Sequence, residues 1–271
     1  MKDRFDLDGR IVVVTGGLGQ LGKAYARALV ARRARIAVLD LEGGAAAARR
    51  FGADADSPTY RFIAADVTSR KSLEAALAEI ERHWGEPPFG LVNNAALDSP
   101  PDAPASENGP FEDYPESSFD KVMAVNVKGV TLCCQVFGAA MAARGRGSIV
   151  NISSIYGILS PDQRIYEHRR RGGDTFFKPV AYSVSKSALF NLTRYLATYW
   201  AGSGVRVNTL TLAGVFNNQH PEFLAAYLPK VPLGRMAAPE DYEGPVVFLL
   251  SDASCYMTGA NLVIDGGFSA W

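Results

Sequence analysis

Cysteine is scarce, and net charge is missing altogether. Three cysteines stand among 271 residues, Cys133 and Cys134 adjacent in a stretch that reads as helix and Cys255 far away. That spacing makes neither a disulfide framework nor a zinc site, so no metal is expected and a reducing cytoplasm fits best. Twenty-eight basic residues cancel 28 acidic ones, so no overall field draws the chain to nucleic acid or to an anionic membrane. No uninterrupted apolar run approaches the length of a membrane span, and the opening residues MKDRFDLDGR are charged. Neither a spanning segment nor an export signal is therefore expected. These absences leave a soluble cytoplasmic protein with a small-molecule partner. What is present is apolar material: 48% hydrophobic against 21% charged residues, enough for one large α/β domain over 1–271 and too little for two.

Short β-branched runs alternate with longer alanine-rich amphipathic stretches. Strands are expected from Ile11 through Thr15, up to Asp40, at Tyr60 to Ala65, Phe89 to Asn93, Ser148 to Ile152, Val205 to Leu210 and Asn261 to Ile264. Runs apolar on both faces predict a doubly wound parallel seven-stranded sheet with helices on both sides. Two stretches exceed the short connections of such a fold: Asp98 to Ser118, rich in proline and acid, and an insert at 160–180 containing IYEHRRRGGD. Both follow strands at the carboxyl edge of the sheet, where open α/β sheets bind ligands, so both are candidates for substrate contact.

Between the first strand and the first helix lies TGGLGQLG, with Gly16, Gly19 and Gly22 followed by an acid, Asp40, at the end of the next strand. Glycines there permit a tight turn and let a pyrophosphate approach backbone N–H groups at the positive end of a helix that opens with Gln20 and Leu21. The Asp40 carboxylate suits two ribose hydroxyls and repels a 2′-phosphate, and Leu41 rather than an arginine follows it, which favours NAD over NADP. Asp66 is placed to reach an adenine, with the Val67 backbone completing the contact; capping the next helix is the alternative.

Tyr182 and Lys186 are one helical turn apart in AYSVSKSALFNLTRYLATYW. Residues four apart share a helix face, so the ammonium of Lys186 can favour the ionised form of the phenol. Bringing a phenol from about 10 toward neutrality costs about 4 kcal/mol, which a cationic side chain and a cationic nicotinamide can supply jointly. Ser154 would then polarise a substrate oxygen while Tyr182 moves its proton.

Six stretches in order, Thr15 to Gly22, Asn93-Asn94-Ala95-Ala96, Asn126 in VNVKG, NISS ending at Ser154, Tyr182 with Lys186, and IDGG from Ile264, resemble the short-chain dehydrogenases/reductases over nearly the whole chain. The resemblance implies a Rossmann-type fold and an NAD(P)-dependent oxidoreductase acting on CH–OH groups. It implies that Asn94, Ala95 and Ala96 line the cofactor, Lys186 holds the nicotinamide ribose, and Val215 after Gly214 meets the carboxamide. It also makes Asn126 a helix-bending residue that anchors a water in the proton path, and Ser154 the residue bonding the reacting oxygen. Departures are the glycine spacing, where the commoner branch has glycine at Gln20; Ala213 in place of proline before Gly214; and a long interval between Ser154 and Tyr182.

Within that interval His168, Arg169, Arg170 and Arg171 form a cationic run suited to phosphate or carboxylate, or simply to a solvated surface. A looser similarity, through SSIYG, the insert, GVFNNQ and DGGFSAW, is to a subgroup associated with bacterial flagellin and surface-glycan modification, which implies a nucleotide-linked or other sugar-derived substrate. Two alternatives stay open. One is a reductase of apolar ketones or acyl thioesters beneath an apolar lid of Phe216, Phe223, Leu224 and Tyr227; the other is a non-catalytic nucleotide-sensing or scaffold protein. The apolar residues continuing the Tyr182 helix, Leu192 to Trp200, lead to an expected homodimer or homotetramer.

Overall fold

The computed structural model describes residues 3–54, 56–98 and 107–271. Seven parallel strands form one sheet in the order β3-β2-β1-β4-β5-β6-β7. They are β1 (Ile11–Thr15), β2 (Arg35–Asp40), β3 (Tyr60–Ala64), β4 (Gly90–Asn93), β5 (Gly147–Ser154), β6 (Val205–Leu212) and β7 (Asn261–Ile264). Every residue of β1, β4 and β5 is buried, as strands covered on both faces must be.

Side chains alternate across the pleat, so one strand feeds two cores. Val12 and Val14 of β1 join Ile36 and Val38 of β2 beneath the helices Gln20–Ala31 and Glu243–Leu250. Ile11 and Val13 join Ala37 and Leu39 on the other face, under Arg70–Trp84, a long helix Glu116–Ala143 and the helix Val180–Tyr199. The long helix is apolar and long enough to cross a membrane by composition alone. Here its Val130, Phe137 and Met141 lie in the second core against Ile149 and Val207 of the sheet.

The strand order reverses between β1 and β4, and this switch point opens a crevice at the carboxyl ends where ligands bind in such sheets. A third cluster roofs that edge: Ile155, Tyr156, Ile165, Tyr166 and Phe176 pack with Tyr227, Met236 and Phe268. The expected long loop at 160–180 is partly helical, with a 3-10 turn Gln163–Tyr166 running into a short helix Glu167–Arg171. Of the other expected loop, residues 99–106 lie outside the described residues, and Phe111–Asp113 forms a 3-10 turn before the long helix.

Candidate active site

At the crevice, Gly16 takes a left-handed φ of 60°, and a Cβ there would come within 2.9 Å of the Ala95 Cα. A Cβ on Gly22 would lie 2.3 Å from the Gly16 carbonyl oxygen, so the helix start can sit against the turn only as glycine. Gly19 has a single neighbour, that same carbonyl oxygen, near its missing side chain, which leaves the helix N-terminus open to an anion. The Thr15 hydroxyl accepts from the N–H groups of Asn94 and Ala95, both at 3.1 Å, and Asn94 Nδ2 donates to the carbonyls of Thr15 and Gly16. Asn94 and Ala95 are thereby fixed to the glycine turn, with Ala96 next in the chain.

The Asp40 carboxylate accepts from Leu18 N–H at 3.0 Å and from Leu41 N–H at 2.9 Å, one donor on each oxygen. Each oxygen keeps a lone pair for a ribose hydroxyl. Asp66 Oδ1 takes the Thr68 N–H and hydroxyl in a turn that precedes the helix, whose cap is Ser69 rather than Asp66. Val67 packs against Gly129 of the long helix. Gln20 reaches across the crevice to donate to the Phe216 carbonyl at 3.0 Å, while Leu21 packs against the first core.

The loop after β6, where alanine replaces the expected proline, is held by two tyrosine hydroxyls, one from Tyr227 of the expected lid and one from Tyr242, which the sequence pattern did not single out. Tyr242 Oη accepts from Ala213 N–H at 3.1 Å and Tyr227 Oη from Gly214 N–H at 2.9 Å. Val215 pairs with Ala237 as an isolated bridge. Tyr227 is accordingly a buried anchor, while Phe216 is 46% exposed. The apolar lid of Phe216, Phe223, Leu224 and Tyr227 is divided between these roles.

The candidate catalytic residues come from three elements. Ser154 ends β5 and caps the next short helix, accepting from Tyr156 N–H. Tyr182 and Lys186 lie on Val180–Tyr199, which Pro179 starts. Asn126 sits in a π-helical stretch, Ala124–Gly129, of the long helix, a widening often found at functional sites. Its amide accepts from Leu97 N–H at 2.7 Å and donates to the Leu97 carbonyl and to Ser185 Oγ. Asn126 therefore ties the chain leaving β4 to the helix carrying Tyr182.

Lys186 is 4% exposed and its Nζ donates to the Ile152 carbonyl at 2.9 Å. Burial pushes its pKa down to about 8, opposed by the charge of Asp98. The ammonium stands 5.8 Å from the centre of the Tyr182 ring. Tyr182 is partly buried, and burial, then the Asp98 carboxylate, hold its phenol above the ordinary range, with the Ser154 hydroxyl opposing. Desolvation thus outweighs the expected help of Lys186 to the phenolate.

The arginines of the cationic run make bonds within the insert. Arg169 pairs with Asp174 and lies over the Phe176 ring. Arg170 donates to the carbonyls of Phe176 and Gln163, and Arg171 makes an exposed pair with Glu167. His168 stacks on His220, centroids 5.4 Å apart. The structure does not bring the three guanidinium groups together beside Tyr182; they pin the insert to itself.

A phosphate-ready helix start beneath an acid-tipped second strand, next to a serine, a tyrosine and a sealed lysine, defines a nucleotide-dependent oxidoreductase. The family model described as "Enoyl-(Acyl carrier protein) reductase" matches residues 19–269, and the chain belongs to the short-chain dehydrogenase/reductase family. It is 35% identical over 273 residues to a galactitol 2-dehydrogenase (L-tagatose-forming) of Cereibacter sphaeroides, covering 98% of each chain. Among solved structures it is similar to a short chain dehydrogenase of Leptospira borgpetersenii with bound NAD+ (TM-score 0.84, 34% identity, 99% and 96% coverage). It is also similar to a gluconate 5-dehydrogenase of Burkholderia cenocepacia in complex with NADP and tartrate (TM-score 0.82, 26% identity, 99% and 98% coverage). The chain is an NAD(P)-dependent oxidoreductase acting on CH–OH groups.

Proposed function

We propose that this enzyme interconverts a secondary alcohol and a ketone on a sugar-derived polyol, with NAD preferred and with Tyr182 as the proton-transfer group. The observation that carries the reading is Tyr182 lining a cleft at the sheet edge, with the Ser154 hydroxyl acting on its phenol and the buried Lys186 ammonium behind its ring. A bound nicotinamide supplies the hydride acceptor. Ser154 donates a hydrogen bond to the substrate oxygen, Tyr182 takes the hydroxyl proton as the C–H hydride leaves, and Lys186 holds positive charge near the forming phenolate. Asn126 positions Leu97 and Ser185 around them. In this reading Gly16, Gly19, Gln20 and Leu21 receive the pyrophosphate, and Asn94, Ala95, Ala96, Gly214 and Val215 flank the nicotinamide half. Asp66 and Val67 flank the adenine through backbone, since the Asp66 carboxylate is engaged with Thr68.

The cleft beside Tyr182 is lined by Asp98, Glu107, Asn108 and Lys121 among others. Those polar groups can bond the hydroxyls of a polyhydroxy substrate, while Leu97, Val122 and Pro179 give the same cleft an apolar surface. Calorimetric titration with NAD and NADP tests the cofactor preference: NAD binds more tightly, and Asp40→Ala narrows the difference by about tenfold, since the acid both bonds the ribose and repels the 2′-phosphate. Tighter NADP binding by the unmodified enzyme would refute the assignment to Asp40.

A further inference from the structure

Lys178, four residues before Tyr182, is a second ammonium at the phenol, nearer to its ring than Lys186. Its Nζ stands 4.8 Å from the ring centre, its side chain is 8% exposed, and it is ion-paired with Asp98. The pair is asymmetric. The Asp98 side chain is 54% exposed and lines the cleft with Tyr182, whereas Lys178 does not line it. The insert builds this arrangement: Gln163 clamps the Lys178 backbone, its Oε1 accepting from Lys178 N–H at 2.9 Å and its Nε2 donating to the Lys178 carbonyl at 3.2 Å. Arg170 in turn fixes the Gln163 carbonyl.

We infer that Asp98, held by the sealed ammonium of Lys178, is the specificity-determining residue of the site, accepting a hydroxyl of an uncharged polyol or keto sugar and excluding sugar acids and other anions. A substrate entering the cleft meets a carboxylate beside the reacting phenol, while the matching cation is withheld behind the ring. Charges of both signs, Glu107 and Lys121, also line the cleft, but of these three it is the Asp98 charge that bears on the Tyr182 phenol. A carboxylate accepts hydroxyl donors strongly and repels a second carboxylate in a partly desolvated site. A nucleotide-linked sugar would carry its phosphates into the same field.

The inference rests on the reading of Tyr182 as proton-transfer group, and the test separates the two. Rates are measured with matched pairs, galactitol against galactonate and D-glucitol against D-gluconate, using NAD and NADP, for the enzyme and for Asp98→Asn, Lys178→Gln and the double variant. The unmodified enzyme prefers the polyols. Asp98→Asn lowers the polyol-to-acid ratio of kcat/KM by about tenfold, the scale of one removed neighbouring charge, and moves the alkaline limb of the oxidation profile to lower pH. Lys178→Gln, which removes the ammonium paired with Asp98, moves both in the opposite direction. The double variant, which buries no unpaired ammonium, again lowers the ratio and keeps the test available if Asp98→Asn folds poorly. A packing role for the pair would reduce both substrates alike and leave the limb unmoved, and equal or better use of the sugar acids by the unmodified enzyme would overturn the inference while the oxidoreductase reading stands. Oxidation of neither substrate class despite NAD binding would instead remove the polyol reading, and this inference with it.

Discussion

Lys186 shows how function and stability oppose each other at one residue. Its folded pKa of about 8 lies below its ordinary 10.5 because the ammonium is buried. Between those values the unfolded chain holds more protons, so the penalty is full below about pH 8 and stability rises as pH climbs through the window. Lys186→Met therefore abolishes turnover yet matches or exceeds the parent in stability at neutral pH, by up to about 3 kcal/mol from the relieved desolvation. Thermal melts with activity assays check this; a large loss of stability would mean that the bond to Ile152 outweighs the buried charge. At Tyr182 the phenol lies above its ordinary range, so alcohol oxidation rises with pH through the alkaline range and ketone reduction is favoured below it, as rate profiles in both directions will show. The spacing of Tyr182 and Lys186 was legible in the sequence because a helix repeats every turn. The contribution of Asp98 was not, because it comes from the chain beyond β4, distant in the sequence.

At the scale of elements, all seven strands stand within one or two residues of where β-branched runs place them; in the central strands this is because burial on both faces writes itself as continuous apolar sequence. The π-helical widening at Asn126 was legible only through the family resemblance, which makes Asn126 a helix-bending residue, because its composition matches ordinary helix. No such pattern marked a polar ladder through the core: Asn93 Nδ2 donates to Asn151 Oδ1 at 2.8 Å, and Asn151 Nδ2 to Thr193 Oγ1, which also accepts from Thr209. Asn151→Ala takes one buried hydrogen bond each from Asn93 on β4 and Thr193 on the Tyr182 helix, and is expected to cost about 2 kcal/mol in denaturant unfolding. The basic run was visible, but its destination depends on how the insert folds back. Arg170→Ala loses two bonds to backbone carbonyls, so it is expected to cost about 1 kcal/mol and to lower kcat/KM by displacing Gln163 and Lys178. Activity unchanged in that variant would mean that the insert does not position the site.

For the whole molecule, the helix Val180–Tyr199 divides its apolar residues between inside and outside. Leu196 and Trp200 are buried, whereas Tyr195 and Tyr199 are 62% and 67% exposed and stack with centroids 6.0 Å apart. We expect this face to meet a second copy, so light scattering gives a mass at least twice the 29.1 kDa of one chain, and Tyr195→Asp with Tyr199→Asp lowers it. The sequence announced the excess apolar surface and not which part the sheet would cover. The fold places a glycine turn, an acid and a tyrosine on one edge of one sheet, and the proposed NAD-linked dehydrogenase activity requires them to act together. The most direct measurement is NADH formation from galactitol and related polyols by the enzyme and by Tyr182→Phe, with NAD binding measured for both. The account predicts turnover in the first, a loss of at least about a thousandfold in the second as expected for removing the proton-transfer group, and equal NAD affinity. Undiminished turnover by Tyr182→Phe, or no turnover by the intact enzyme despite bound NAD, would contradict it.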